Sequence, residues 1–437
     1  MNKTSAIEII TDFHKGSLPS LIERAVNAPV PTSNKTLAII GPRRAGKTFF
    51  LYDIMIRLKG VEKTKMLFVN LEDDRFFPPT LQDLDLLLKT YYELYPENKK
   101  ERVFFFFDEI QNIPRWESFV RRIMDTENVQ VFISGSSSKL LATEIATSMR
   151  GRALPVIILP FSFSEFLVAR GVSFECPLSS EERSIVVNFL NEHLEHGGFP
   201  DVILEKNEEY KIRILRDYVE VMLLRDVIER HDIKKPKVLK MLFNALIASF
   251  AKEFSLNKFY NVLKSQGLSV AKETIYDYFD HLVDAFAVIP VRRFSYSITK
   301  MEQTLPKVYL IDNGYWKQFG ARQENLGRLC ENTVAIELFR RHCLDPSMEF
   351  HYWKNDQGSE VDFIIKRGSK VEELIQVCYD VRESETLTRE LAGLENASAE
   401  LGCKKATLLN WDIDEVRKTD TLEITYIPIW KWLLGKE

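Results

Sequence analysis

The chain has 437 residues, 45% hydrophobic and 28% charged, with a net charge of −4; that length calls for two or three hydrophobic cores, and the charge excludes a protein that coats nucleic acid along its whole surface. Cys176, Cys330, Cys343, Cys378 and Cys403 make an odd number without a C-x-x-C pair, so neither a disulfide framework nor a zinc site is indicated and a reducing compartment is expected. No apolar run approaches the roughly 18 residues of a membrane span, and Met1 to Ile10 carries Glu8 among short apolar groups instead of a basic-then-apolar signal; the expectation is a cytoplasmic protein with no membrane partner.

The first predicted strand, Leu37-Ala38-Ile39-Ile40, runs into Gly41-Pro42-Arg43-Arg44-Ala45-Gly46-Lys47-Thr48, the G-x-x-x-x-G-K-T spacing of a phosphate-binding loop. The glycines permit a tight turn whose N–H groups converge on the β- and γ-phosphates of ATP, at the start of a helix near Lys47. Lys47 adds a point charge to those phosphates, and the Thr48 hydroxyl joins the shell of a Mg²⁺ ion. Phe49, Phe50, Leu51, Ile54 and Met55 continue as the apolar face of the helix.

Val103-Phe104-Phe105-Phe106-Phe107-Asp108-Glu109 follows, an apolar run bounded by charge. Such a run is a strand buried on both faces of a parallel sheet. Asp108 then stands at its carboxyl end, where α/β sheets bind ligands. There it can hold Mg²⁺ through a water, with Glu109 placed to polarise the water that attacks the γ-phosphorus. A third strand, Val129 to Ile133, ends in Ser134-Gly135-Ser136-Ser137-Ser138. Its hydroxyls, Ser134 first, suit either a nucleotide sensor or an ordinary turn.

Taken together, the stretches GPRRAGKT, FFFFDEIQNIPRWESFVRRI, VFISGSSSKLL, MRGRALPVIILPFSFSEFL and GGFPDVIL resemble the AAA+ ATPases of an archaeal and bacterial group that carries a C-terminal domain of unknown function. The resemblance covers about residues 35 to 200. It implies an ASCE-type P-loop fold with a five-stranded parallel core and Asp108 and Glu109 as the Walker B pair. It also draws attention to Met149-Arg150-Gly151-Arg152, where a basic residue, Arg152 first and Arg150 second, would reach the γ-phosphate from the same or a neighbouring subunit.

The middle region reads as helical. Leu215, Tyr218, Val219, Met222, Leu223 and Val227 have helical spacing. Ser255 opens a short helix with Leu256, Phe259 and Leu263 on one face, which stops at Gln266-Gly267. Ser269 is expected to cap a second helix with Ile275, Tyr278, Phe279 and Leu282 inside. Two short helices joined by a Gly-containing turn read as a helix-turn-helix, and Phe286 to Val291 with Val308 to Ile311 supply the strands of a wing. From Tyr210 to Lys300 there are 16 Lys and Arg against 10 Asp and Glu, an excess that permits contact with DNA phosphates. Only Lys272 is basic among Lys272, Glu273, Thr274 and Asp277 of the second helix, so DNA contact and pure scaffolding both stay open. His193 and His196, before Gly197-Gly198, lack a third metal ligand.

The last third has the order of a restriction-endonuclease-like core: a helix with Glu331 and Glu337, the strand Phe350-His351-Tyr352-Trp353, the strand around Glu360-Val361-Asp362, then Leu374-Ile375-Gln376-Val377-Cys378. The resemblance extends here, since the family's domain commonly reads Glu-Val-Asp and later Glu-Val-Lys. This chain breaks it: Gln376 replaces the second acid and Cys378 the lysine. Asp362 and Glu331 are left as the pair for a possible second metal ion, and a weak or inactive nuclease is expected.

The expected fold class is α/β: a P-loop ATPase over residues 1–200, a helical and winged-helix region over 201–322, and a degenerate nuclease-like domain over 323–437. The expected activity is Mg²⁺-dependent ATP hydrolysis coupled to a partner such as DNA, with self-association through the ATPase domain. The alternatives are a nucleotide-gated switch with a protein partner and an ATP-regulated nuclease.

Overall fold

A computed structural model describes residues 1–136, 149–173, 177–318, 326–382, 384–419 and 421–435. The chain divides into two compact units, Met1–Ile158 and Leu159–Glu437.

The first unit is built on five strands: β1 (Thr36–Ile40), β2 (Met66–Asn70), β3 (Val103–Asp108), β4 (Val129–Gly135) and β5 (Ala153–Ile157). Their order is β2-β3-β4-β1-β5, and every neighbouring pair is parallel. The phenylalanine run of β3 is explained by its two covered faces. Phe105 and Phe107 point with Ala38 and Ile40 into a core shared with helices Lys3–Lys15, Leu81–Leu94 and Trp116–Thr126. Phe104 and Phe106 point with Leu37 and Ile39 the other way, onto Phe50, Leu51, Ile54 and Met55 of helix Lys47–Arg57. Alternation at period two thus divides one apolar run between two cores. The five-stranded parallel core is the P-loop ATPase fold that the sequence predicts.

In the second unit, β6 (Lys252–Glu253), β7 (Val288–Val291) and β8 (Lys307–Leu310) form an antiparallel sheet ordered β6-β8-β7. Helices Leu256–Ser265 and Lys272–Asp284 lie between β6 and β7. Ser255 caps the first, accepting from the Lys258 N–H at 3.2 Å. The second starts later than expected, with Ala271 and not Ser269 at its N-cap, while the Ser269 carbonyl accepts from Lys235. Ile275, Tyr278, Phe279 and Leu282 are its buried face. The helix predicted through Leu215 to Arg230 is α-helical over Glu208–Val221 and widens to a π-helix over Met222–Glu229.

The remaining strands are β9 (Met348–Lys354), β10 (Glu360–Arg367), β11 (Lys370–Val377), β12 (Lys405–Asn410), β13 (Glu415–Lys418) and β14 (Glu423–Pro428). They make one mixed sheet, β13-β14-β12-β11-β10-β9. Helix Ser384–Leu401 covers one face through Leu394 and Ala397, against Val361, Ile364, Leu374 and Leu408.

The division at Ile158 differs from the boundary expected at 200. The segment after β5 is tied forward instead: Arg340 donates to the Pro160 carbonyl at 2.8 Å, and Asp312 accepts from the Gly198 N–H at 2.6 Å. A Cβ on Gly197 would stand 1.7 Å from an Asp312 oxygen, so the Gly-Gly pair is set by this contact and by the positive φ of Gly197, 78°. His193 is buried against Phe161 and Phe163, with its pKa pushed down to about 4 by that burial. His196 pairs with Glu208 at 3.0 Å. The two rings therefore serve packing and pairing.

Candidate functional site

At the carboxyl edge of β1 the chain turns through Gly41, whose added Cβ would lie 2.0 Å from the Ile158 carbonyl oxygen. Gly46, at φ 95°, is the N-cap of helix Lys47–Arg57, a conformation that glycine adopts without strain. The free N–H groups of the first helical turn face the loop. Arg24, buried, props the loop by donating to the Ala45 carbonyl at 2.9 Å.

Inside this turn Lys47 is 4% exposed. Its ammonium donates to the Pro42 carbonyl at 3.2 Å and lies 3.5 Å from Glu109 Oε1. Thr48 donates to Asp108 Oδ2 at 2.7 Å, and Ser134 donates to Asp108 Oδ1. The same Ser134 oxygen accepts the Glu109 N–H at 2.9 Å, so one hydroxyl aligns both carboxylates. Burial, then the neighbouring Glu109 charge, pushes the Asp108 pKa up to about 6, against its bonds to Ser134 and Thr48. Burial also acts to raise Glu109, but Lys47, Gln111 and Arg43 outweigh it and hold this carboxyl below its ordinary range. A buried carboxylate short of positive charge, beside a hydroxyl and at a helix N-terminus, fits a hard cation and a polyphosphate.

The loop residues, Asp108, Glu109 and Ser134 thus converge. Arg152 does not join them within this chain. Its carbonyl accepts the Thr36 N–H at 2.8 Å, at the amino end of β1, about 15 Å from the phosphate loop at ~3.3 Å per strand residue. Its guanidinium pairs there with Asp125 at 2.5 Å. Arg150, exposed with φ 51°, lies in the turn before it. Ser137 and Ser138 lie outside the described residues.

In the second unit a cavity of about 770 Å³ has Lys307, Glu331, Glu360, Asp362, Gln376 and Glu390 in its wall. Asp362 follows a register shift in β10, the kind of bulge that re-aims a side chain. Asp362 and Glu331 do meet, but over an ammonium. Lys307 Nζ lies 2.6 Å from Glu360, 3.0 Å from Asp362 and 3.1 Å from Glu331. The sequence reading missed this residue, which supplies from β8 the lysine that β11 lacks. Gln376 donates to Asp362 Oδ2 at 2.8 Å and to Glu390, and its oxygen accepts the Asp362 N–H at 3.1 Å. The Cys378 thiol is pushed up to about 11, first by burial and then by neighbouring carboxylates. Lys307 thus stands between the two carboxylates expected to hold a second metal ion, and among the described residues no group of three or more His, Cys, Asp and Glu is arranged to hold one.

Burial and then Asp362 raise the Glu331 pKa from 4.5 to about 7, against Lys307 and Tyr309. The folded state therefore binds this proton more tightly than the unfolded chain. The resulting stabilisation is complete below pH about 4.5 and lost as pH rises through about 7. Glu331→Gln keeps an acceptor for Lys307 and Tyr309 but removes the titration. It should flatten the fall in melting temperature between pH 5 and pH 8; the same fall in parent and variant would assign the proton elsewhere.

Three family models match the chain: an AAA domain over residues 33–167, a domain of unknown function (DUF8612) over 188–321 and another (DUF4143) over 326–432. The uncharacterized protein MJ1544 of Methanocaldococcus jannaschii is 37% identical over 407 residues, covering 92% of this chain and 88% of the relative. An uncharacterized protein of Haemophilus influenzae is 28% identical over 396 residues, 90% of this chain and 93% of its own. Among solved structures, Aeropyrum pernix ORC1 in complex with DNA aligns over 78% of this chain and 92% of its own, at 12% identity and a TM-score of 0.32. No helix among the described residues is long and apolar enough to cross a membrane. With the loop, the carboxylate pair and the strand order in place, and with identity to MJ1544 running through both units, the chain belongs to that protein's family of AAA+ P-loop ATPases, in which the AAA domain is followed by domains of unknown function.

Proposed function

We propose that this protein is a Mg²⁺-dependent ATP hydrolase that couples its nucleotide state to a macromolecular partner. The observation that carries the reading is the convergence of Lys47, Thr48, Asp108 and Glu109 at one edge of the sheet. Lys47 and the first-turn N–H groups hold the β- and γ-phosphates. Thr48 and Asp108 would hold the metal ion, which supplies charge neutralisation between those phosphates. Glu109, ionised at neutral pH, accepts the proton of the attacking water. Lys47→Ala should abolish ATP binding in calorimetry without unfolding the chain. Binding of ATP with Mg²⁺ as tight as in the parent would sink the assignment.

DNA is the partner favoured by the basic excess of residues 210–300 and by the order helix, strand, helix, helix, hairpin, which is that of a winged helix. One observation favours a protein partner instead. The exposed side of helix Lys272–Asp284 carries Glu273, Asp277 and Asp280 against Lys272, a poor match to phosphates. Hydrolysis rates with and without double- and single-stranded DNA separate the two, because only a DNA-coupled enzyme is stimulated, and steeply less so with added salt. Lys307 and Gln376 favour reading the second unit's pocket as a binding platform and not as a nuclease centre.

A further inference from the structure

Within this chain Arg152 stands at the opposite edge of the sheet from the ATP site. The phosphate loop contains two arginines that its backbone role does not require. Arg44 is exposed, at φ 69°. Arg43 is not: its side chain is 21% exposed, and Nη1 lies 3.0 Å from Glu72 Oε1. Glu72 follows Asn70, the last residue of β2, which is in register with Asp108 of β3. The Arg43 guanidinium therefore stands at the carboxyl edge, on the side of the loop facing the Walker B strand. A cation at that edge suits the terminal phosphate of a bound polyphosphate, alongside Lys47.

We propose that Arg43 is the same-chain cation that contacts the γ-phosphate of ATP, and that Glu72 holds it when that phosphate is absent. The inference rests on the ATPase reading. A guanidinium engages phosphate oxygens in bidentate fashion, and a dianionic phosphate is the stronger acceptor. The Glu72 carboxylate is 46% exposed, and an ion pair so open to solvent is a weak tether. Exchange of Glu72 for phosphate is thus downhill for ATP and has no counterpart for ADP. Arg43 discriminates the two nucleotides and stabilises charge on the transferred group, a role that requires no neighbouring subunit.

Calorimetric titration of the full chain with a non-hydrolysable ATP analogue and with ADP, each with Mg²⁺, tests this. Arg43→Ala and Arg43→Gln should weaken the analogue at least tenfold and ADP less than about threefold, as for a lost charge-assisted hydrogen bond. Arg43→Lys should recover part of the difference, and Glu72→Gln should tighten the analogue and leave ADP as it was. Equal weakening of both nucleotides, or of neither, overturns the role of Arg43. Loss of both in Lys47→Ala alongside an unchanged ratio in Arg43→Ala would leave the ATPase reading standing while removing this one; failure of the parent to bind either nucleotide would remove the ATPase reading itself. Mixing Arg43→Ala with Lys47→Ala should restore no hydrolysis, and recovered turnover would place the acting arginine between subunits.

Discussion

Glu109→Gln is expected to keep nucleotide binding and to lose turnover by roughly 10²-fold or more, the usual scale for a missing general base. Two buried carboxylates sit side by side, and their surroundings separate their roles. Asp108 spends one oxygen on Thr48 and the other on Ser134, and its raised pKa marks a group awaiting a cation. Glu109 has the opposite poise. Its backbone is held in the left-handed region at φ 52°, uncommon for a residue with a side chain, and its N–H is anchored on Ser134. Its side chain meets Lys47 and Gln111, which keep it ionised and therefore able to take a proton. Glutamine is nearly isosteric and can still accept from Lys47, so the folded site and its affinity should survive. Calorimetry for ATP with steady-state phosphate release reads both halves of the expectation. Turnover near that of the parent would move the base to Asp108 or to a neighbouring subunit.

The first unit was legible because its signals are local. A phosphate loop is one turn, and the β3 run declares burial on both faces before any partner is known. The place of Arg152 within its own chain is also legible in the sequence: it precedes the apolar run Ala153–Ile157, and in a parallel sheet the residue before a strand lies at the amino edge, away from that chain's ligand. Reading the direction of the strand would have moved attention to Arg43. Ser269 was preferred as a cap on residue type alone, whereas the chain stays extended through Ala271 while Lys235 holds the Ser269 carbonyl. The contacts of the segment around Pro160 and Gly198 were not legible because their partners, Asp312 and Arg340, are over a hundred residues away in sequence.

Lys307 was illegible for the deeper reason that its partners are assembled by tertiary structure. A search along β11 for the missing lysine could not see one delivered from a separate antiparallel sheet, 55 residues before Asp362. The available hint was a lysine heading the wholly apolar run Val308-Tyr309-Leu310-Ile311. A lysine that starts a buried strand needs an acidic partner.

Lys307→Met should therefore cost the folded chain about 3–5 kcal/mol, the range for a buried ion network that loses one sign of charge. Methionine fills much the same volume, so packing changes little and the loss is electrostatic. Glu331, Glu360 and Asp362 would keep their positions around a centre without an ammonium, and Gln376 and Tyr309, both neutral donors, cannot replace it. Without the cation Glu331 and Glu360 protonate more readily in the folded state, so the loss should be largest near pH 8 and shrink toward pH 5. Denaturant unfolding of parent and variant at both pH values measures it. Adding Asp362→Asn to Lys307→Met should recover part of the stability by removing one of the unpaired charges, whereas Asp362→Asn alone should destabilise; that sign reversal is the signature of direct coupling. A loss below about 1 kcal/mol at pH 8, on the scale of an exposed ion pair, would mean that water in the cavity already screens these carboxylates and that Lys307 is not what holds them together.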